Sequence, residues 1–225
     1  LSRLAAPLAG IRVPPEMRPL LRSMNSYYTN RIEGQHTRPR KIDQALRRDL
    51  SRHAELAARQ RLAVAHIDAE AALEQRYAGA DGARALYTPQ AVQDLHRELF
   101  ARLPAADLAT AEHAPVGPGE LRQRDVQVGQ HVAPAHGSVA RFLARWAGFY
   151  GTVRRGEAAL VALAAAHQRL GWIHPFVDGN GRVMRLHTHT ALSALGYTGG
   201  LWSPLRGFAR STDRYYALLA DADVP

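Results

Sequence analysis

The chain has 225 residues, 46% of them apolar, and a net charge of +9. That is room for one domain with a substantial core, or a domain with a small appendage. The absence of cysteine excludes a disulfide framework and any thiolate metal site. No apolar run approaches a membrane span and no signal-peptide pattern opens the chain, so a soluble cytoplasmic protein without a membrane partner is expected. Because Leu1 rather than Met stands first, the chain is expected to be trimmed.

The charge invites a nucleic-acid reading. The basic residues, however, are almost all Arg (Lys41 is the one lysine) and are spread along the chain. The densest group, Arg38, Arg40, Lys41, Arg47, Arg48 and Arg52, alternates with Asp43, Asp49 and Glu55, as on a solvated helix face. A basic nucleic-acid-binding regulator therefore stays a secondary reading. A polyphosphate or an acidic protein surface would also be drawn to such a field.

In chain order, Pro7, Pro14, Pro15 and Pro19 give residues 1–22 the look of an extended arm with at most one short helical piece. Ser23 to Thr37 follows, where Tyr28 and Ile32 are four apart on a short helix that Gly34 ends. Arg40 to Tyr77 contains no Gly or Pro and carries a broken apolar stripe: Ile42, Leu46, Leu50, Ala54, Ala57, Leu62, Ala65 and Ala69. It reads as one long helix or two joined near His53. His53 and His66 are not at i,i+4 spacing and no HExxH occurs, so no zinc site is expected. Gly79–Gly82 reads as a turn. Thr88-Pro89 is a helix start, with the helix running to Phe100 and burying Val92, Leu95 and Leu99; His96 lies beside that stripe as a packed histidine.

Residues 101–121 read as loop. Arg122–Pro134 has alternation at Val126 and Val128, then Val132 after Gly129, the pattern of a β-hairpin. Ser138 is placed to cap a helix to Tyr150 with Val139, Phe142, Leu143, Trp146 and Phe149 inward. Glu157–Leu170 is an apolar helix on whose buried face His167 sits. Helical spacing resumes over Leu186–Leu195; His187 and His189, two apart, point to different faces and are not expected to share a metal. A last helix follows over Ser211–Ala220.

Between the last two long helices stands HPFVDGNGRVMR, His174 to Arg185. Pro175 ends regular backbone before it. Gly179 and Gly181 remove Cβ atoms where the chain enters the next helix, so its amides can approach a bound group closely. A helix N-terminus presents free N–H groups and partial positive charge. Arg182 and Arg185, at i and i+3, add two guanidinium groups on one face of that turn. Together they make an anion cradle suited to a polyphosphate. His174 titrates near neutrality and suits a general base for a hydroxyl nucleophile. Asp178 is a hard oxygen ligand of the kind that holds magnesium beside phosphates. Asn180 is placed to cap the helix and to donate to a phosphate oxygen. A plain structural αα-turn accounts for each residue singly but poorly for all together.

HPFVDGNGRVMR resembles the signature of Fic-domain proteins, HPFx(D/E)GNGRxxR, with no departure at the defining positions. The resemblance implies an all-α fold with a small β-hairpin flap over the active site, and transfer of AMP from ATP, with Mg2+, to a protein Tyr, Thr or Ser hydroxyl. By that resemblance His174 is the base, Asp178 the magnesium ligand, Asn180 an α-phosphate contact, and Arg182 and Arg185 hold the outer phosphates. Doc-type kinases of the family carry lysine at the second glycine; Gly181 is retained here, which favours nucleotidyl transfer. Relatives also transfer phosphate or phosphocholine, or remove AMP, and these stay open.

Two further segments take meaning from the resemblance. Thr29 to Gly34, TNRIEG, matches the inhibitory motif (S/T)xxxE(G/N), in which Glu33 would occupy Arg185, a carboxylate competing with phosphate for one guanidinium fork. The hairpin with Val126, Val128 and Gly129, introduced by Gly119-Glu120-Leu121-Arg122, resembles the flap that docks a target protein segment by strand addition. An aromatic in relatives touches the adenine from the last helix or the flap, making Tyr215 or Tyr216 candidates, though equally core residues. The implied division is an N-terminal helical region, 1–78, with the inhibitory helix at about 23–36, and a catalytic core, 79–225. A homodimer is possible within this reading.

Overall fold

The computed structural model describes residues 14, 16–110, 112, 114–152 and 156–223. Ten helices and one hairpin are named among them: α1 Met17–Ile32, α2 Pro39–Leu46, α3 Ala54–Arg76, α4 Gly79–Ala85, α5 Pro89–Phe100, β1 Gln127–Val128, β2 His131–Val132, α6 Val139–Tyr150, α7 Gly156–Ile173, α8 Asn180–Ala194, α9 Leu205–Arg210 and α10 Thr212–Asp221. The expected all-α architecture with a hairpin is what the chain adopts. No helix among the described residues is long and apolar enough to cross a membrane.

Most boundaries follow local chemistry. Thr88 caps α5, its Oγ1 accepting from the Ala91 N–H at 3.0 Å, with Pro89 at the first helical position. The long helix-prone run does break before His53: Arg48 takes a positive φ of 62°, and α3 starts at Ala54. Leu46 and Leu50 fall at this break and are exposed, while Ile42 is buried.

Three expectations are corrected. Residues 17–22 form the first turns of a helix instead of an arm. Pro19 is the third residue of α1, where a missing N–H costs no intrahelical bond. The arm expected at residues 1–13 lies outside the described residues. Gly79–Gly82 opens α4 rather than making a turn: Gly79 turns the chain at φ 76°, and Ala83 and Leu86 are buried. Phe149, expected inward, is 62% exposed, whereas Val139, Leu143 and Trp146 are buried.

One hydrophobic core runs from Ile32 and Leu62 through Leu95, Leu99, Leu163, Leu170 and Leu186 to Tyr215, so residues before and after position 78 share it. Helix α8 lies at its centre and is buried along nearly its whole length, polar side chains included. Thr188 and Thr190 satisfy their hydroxyls on the carbonyls of Met184 and Leu186, at 2.9 and 2.8 Å. His187 packs edge-on against Tyr87 and Trp146, while His189 turns to Glu70 and Glu74, the divergence that i,i+2 spacing implies. His167 is structural, between Thr188 Oγ1 at 2.7 Å and the Tyr215 hydroxyl at 2.9 Å. Helix α1 lies across α3 and α9, which brings its C-terminal end to the start of α8.

Candidate active site

Helix α7 stops at Ile173, and His174 takes a positive φ of 50°, a backbone conformation that a non-glycine residue holds only when its surroundings impose it. Those surroundings are visible. The His174 N–H still reaches Leu170 O at 3.2 Å, its carbonyl accepts from Arg122 Nε at 2.7 Å, and Arg122 N–H donates to Pro175 O at 2.9 Å. The loop then closes on itself through Asn180, whose Oδ1 accepts from Phe176 N–H and whose Nδ2 donates to Phe176 O, both at 2.8 Å. Gly179, at φ 78°, holds the N-cap position; a Cβ there would run into the Phe100 ring, so only glycine fits. Asn180 is thus the first residue of α8 rather than its cap. With its side-chain amide spent on Phe176, it has only a backbone N–H to offer an anion in this conformation.

His96 supports the loop from below. Its ring stacks between Phe100 and Phe176, with centroids 4.4 and 4.0 Å away. Nδ1 accepts from the Gly119 N–H at 2.8 Å, so Nε2 carries the proton and donates to Asp178 O at 3.2 Å. Burial pushes its pKa down to about 4, which keeps the ring neutral and the tautomer fixed. The Asp178 side chain is 42% exposed; its Oδ1 accepts from Gly179 N–H at 2.6 Å.

His174 has the protonation a base requires. Its Nδ1 lies 3.3 Å from Gly171 O; a carbonyl only accepts, so Nδ1 holds the hydrogen and Nε2 the lone pair. Burial, reinforced by nearby His131 and Arg122, pushes its pKa down to about 4 against the weaker upward pull of that hydrogen bond and Glu33. The imidazole is neutral through the physiological range.

On the other side of the loop stand the two arginines. Arg182 is buried, its Nε on Asn30 Oδ1 at 3.2 Å and Nη1 3.7 Å from Asp178 Oδ1. Arg185 is fully buried, with Nε on Thr29 Oγ1 at 2.8 Å and Nη2 paired with Glu33 Oε1. Its Nη1 is buried without a partner among the described residues. The Glu33 carboxylate rests against Gly181, where a Cβ would overlap Oε1. Burial raises the Glu33 pKa, but Arg185, and after it Arg182, hold the carboxyl below its ordinary value. The TNRIEG segment therefore uses Thr29, Asn30 and Glu33 together, each on an arginine of the cradle.

The hairpin pairs Gln127 with Val132 and Val128 with His131, turning at Gly129 with φ 59°. Val126 is half-buried, while Val128 and Val132 are exposed by 50% and 70%. Arg122 ties it to the loop: fully buried, its guanidinium donates to Arg124 O at 2.9 Å and to Pro134 O while Nε holds His174 O. That role was visible in sequence only as the end of a Gly-x-x-Arg segment. His131 adds a second tie, its Nε2 2.9 Å from Trp172 O. Tyr215 is buried and stacked on Phe208, a core residue; Tyr216 is exposed and donates its hydroxyl to Ile32 O at 3.3 Å.

The Fic/DOC family model matches residues 86–192, which include the loop and the hairpin. Residues 86–192 are a Fic/DOC-family region. The chain is 34% identical over 127 residues to the protein adenylyltransferase Fic of Drosophila mojavensis, a match covering 56% of this chain and 23% of that protein. It is 42% identical over 84 residues to the Drosophila virilis protein of the same name, covering 37% and 17%. The chain thus spans under a quarter of the length of these curated relatives. Its fold matches a crystal structure of a Fic family protein from Desulfovibrio desulfuricans G20, with a TM-score of 0.71, 20% identity, and coverage of 93% of this chain and 59% of that one. It also matches Fic-1 from C. elegans, with a TM-score of 0.68, 18% identity, and coverage of 98% and 61%.

Proposed function

We propose that this Fic-domain protein transfers AMP from ATP to a hydroxyl of a target protein, and that Glu33 restrains the reaction. The observation that carries the reading is the convergence of a neutral His174, with Nε2 unprotonated, and the glycine-lined start of α8, where Arg182 and Arg185 are already engaged by acceptors. The names of the relatives, each called a protein adenylyltransferase, support it.

The residues fit a nucleotide. Gly181 leaves a place at the α8 N-terminus that the Glu33 carboxylate fills, and the orphaned Nη1 of Arg185 is a buried donor of the kind a phosphate oxygen satisfies. Asp178 would hold a magnesium ion, which supplies charge neutralisation on the phosphates. His174 Nε2 takes the proton as the target hydroxyl oxygen forms its bond to the α-phosphorus, and the bond to pyrophosphate breaks. Free N–H groups at the start of α8 stabilise the charge that develops on the α-phosphate. Arg182 and Arg185 hold the outer phosphates, Arg185 only once Glu33 has left it. A target segment docks along the exposed edge of the hairpin, main chain to main chain.

The test is intact mass after incubating the Glu33→Gly protein with MgATP and a hydroxyl-bearing acceptor, with α- and γ-labelled ATP in parallel. AMP-sized gain with α-label is expected. Gain with γ-label only would replace nucleotidyl transfer by phosphate transfer. Release of AMP from modified protein, without gain, would make the reaction the reverse one. His174→Ala in the same background should lower transfer by roughly 10²–10⁴-fold with the fold intact.

A further inference from the structure

A second polar cluster lies in the core away from the loop. Helix α3 presents His66, Glu70 and Glu74 at i, i+4 and i+8 on one face, and α8 brings His189 against them. Donor atoms of Glu70, Glu74 and His189 all lie within 4.8 Å of one another. The sequence hid this arrangement, because Glu70 and Glu74 lie on α3 and His189 lies on α8, more than a hundred residues on.

We propose that Glu70, Glu74 and His189 form a three-ligand site for a divalent transition metal of the zinc type. His189 Nε2 is 3.2 Å from Glu74 Oε1 and 3.3 Å from Glu70 Oε1. A tetrahedral ion with bonds of about 2.0–2.1 Å sets its ligand atoms about 3.3 Å apart. A charge-assisted N–H···O bond is shorter, about 2.7–2.9 Å, whereas His189 Nε2 stands nearly equidistant from two carboxylate oxygens. The independent observation is His66. It is fully buried, both ring nitrogens lack a hydrogen-bond partner among the described residues, and Nδ1 faces Glu70 Oε2 at 3.9 Å. That carboxylate oxygen is itself buried without a partner. Leaving such groups unsatisfied is costly, and a cation held by Glu70 gives its carboxylate a partner.

The surroundings are those of a built site. Arg22 grips Glu74 Oε2 through Nη2 at 2.6 Å and Nε at 3.1 Å, which aims Oε1 at the centre. Asn25 Nδ2 donates to Glu70 Oε1 at 2.9 Å. Such outer partners orient carboxylate ligands and raise metal affinity. A cavity of about 320 Å³, lined by Arg22, Glu74, Ser193 and Thr198 among others, reaches Glu74 from the surface. One imidazole with two carboxylates and no sulfur selects zinc, iron or manganese over copper(I). Both outer partners belong to α1, so the ion would fasten the helix that carries Thr29 and Glu33.

The test strips the full chain with a chelator and titrates it with Co2+, in an Asp178→Ala background that removes the carboxylate of the active-site loop. One equivalent should bind with the intense visible bands of low-coordinate cobalt, and Zn2+ should displace it and raise the Tm. His189→Gln should abolish the bands, and Asn25→Ala should weaken binding by about 10–100-fold. If His189→Gln does not fold, Glu74→Gln must shift the bands and weaken binding. Absence of bands at one equivalent, or bands unchanged in these variants, overturns the proposal.

Discussion

Helix α1 is held to the core at two polar contacts of opposite polarity. At its C-terminal end α1 supplies the acceptors, Thr29, Asn30 and Glu33, and α8 supplies two guanidinium groups. Eight residues earlier the signs reverse: α1 supplies the donors, Arg22 and Asn25, and α3 supplies the carboxylates of Glu74 and Glu70. A phosphate can replace the acceptors in the first contact, because an arginine fork accepts either anion. No anion can replace the second. The proposed restraint on the cradle requires one helix to release its end without leaving the core, and these two contacts divide the work in that way.

The largest way to break this contrast is at the fixed contact. Glu70 is fully buried, and Glu70→Ala strands Asn25 without its acceptor and leaves His189 with Glu74 alone. A loss of about 3–5 kcal/mol, the range for breaking a buried charged pair, is expected in denaturant unfolding. Glu33→Ala should cost clearly less, since the Glu33 side chain is 25% exposed and water can replace it. Equal losses would mean that both ends are structural.

The two contacts should also fail at opposite ends of the pH scale in metal-free protein. Glu33 has its pKa lowered, by Arg185 and Arg182 against the opposing effect of burial. Its contribution is present above the ordinary carboxylate value and is lost as pH falls through the folded one. His189 is the reverse case. Burial lowers it, but Glu70 and Glu74 outweigh burial and raise it to about 10. Its contribution is complete below the unfolded value of about 6.5 and disappears as pH rises toward 10, by about 1.4 kcal/mol per pH unit. Unfolding midpoints from pH 6 to 10 should show that slope, and His189→Gln should flatten it. Bound Zn2+ takes the place of the proton, so the alkaline slope should vanish in loaded protein. A slope that persists in His189→Gln would assign it to other groups.

The replaceable contact is sharpened by Glu33→Gly. A hydrogen bond between charged partners contributes about 1.5–3 kcal/mol, so freeing Arg185 should tighten ATP binding roughly 10–100-fold by calorimetry. Auto-modification should rise with it. Unchanged binding would show that the nucleotide never needed that guanidinium.

How much of this was legible beforehand divides along the same line. The cradle loop is contiguous, and its chemistry is local: Gly179 at a positive φ, Pro175 after a helix, two arginines one turn apart. Sequence spacing therefore carried it almost whole. The exception is Asn180, whose amide turned inward to Phe176, a choice that depends on how the loop closes and not on composition. The fixed contact is written across α1, α3 and α8, on helices whose buried faces carry Glu, His, Asn and Thr. Hydrophobic periodicity reads such faces as solvated, so nothing marked Glu70 or His66 as buried. Arg122 was missed for the same reason: its partners Pro134 and His174 are distant in sequence and are carbonyls, which any residue offers.

The smallest effect tests whether the replaceable contact is one bond or a clamp. Thr29 Oγ1 accepts from Arg185 Nε at 2.8 Å, on the edge of the guanidinium away from the nitrogen that Glu33 holds. Thr29→Val keeps the shape and removes the acceptor, a loss of about 1 kcal/mol, or about fivefold in ATP affinity. If the two acceptors fix one guanidinium jointly, the double variant Thr29→Val with Glu33→Gly should bind no tighter than Glu33→Gly alone, because the plane of Arg185 is already free. Fully additive gains would instead separate them, with Thr29 positioning α1 and Glu33 alone competing with phosphate. The motif's first and fifth positions act on the same side chain from two directions. Non-additivity is therefore the outcome the geometry requires.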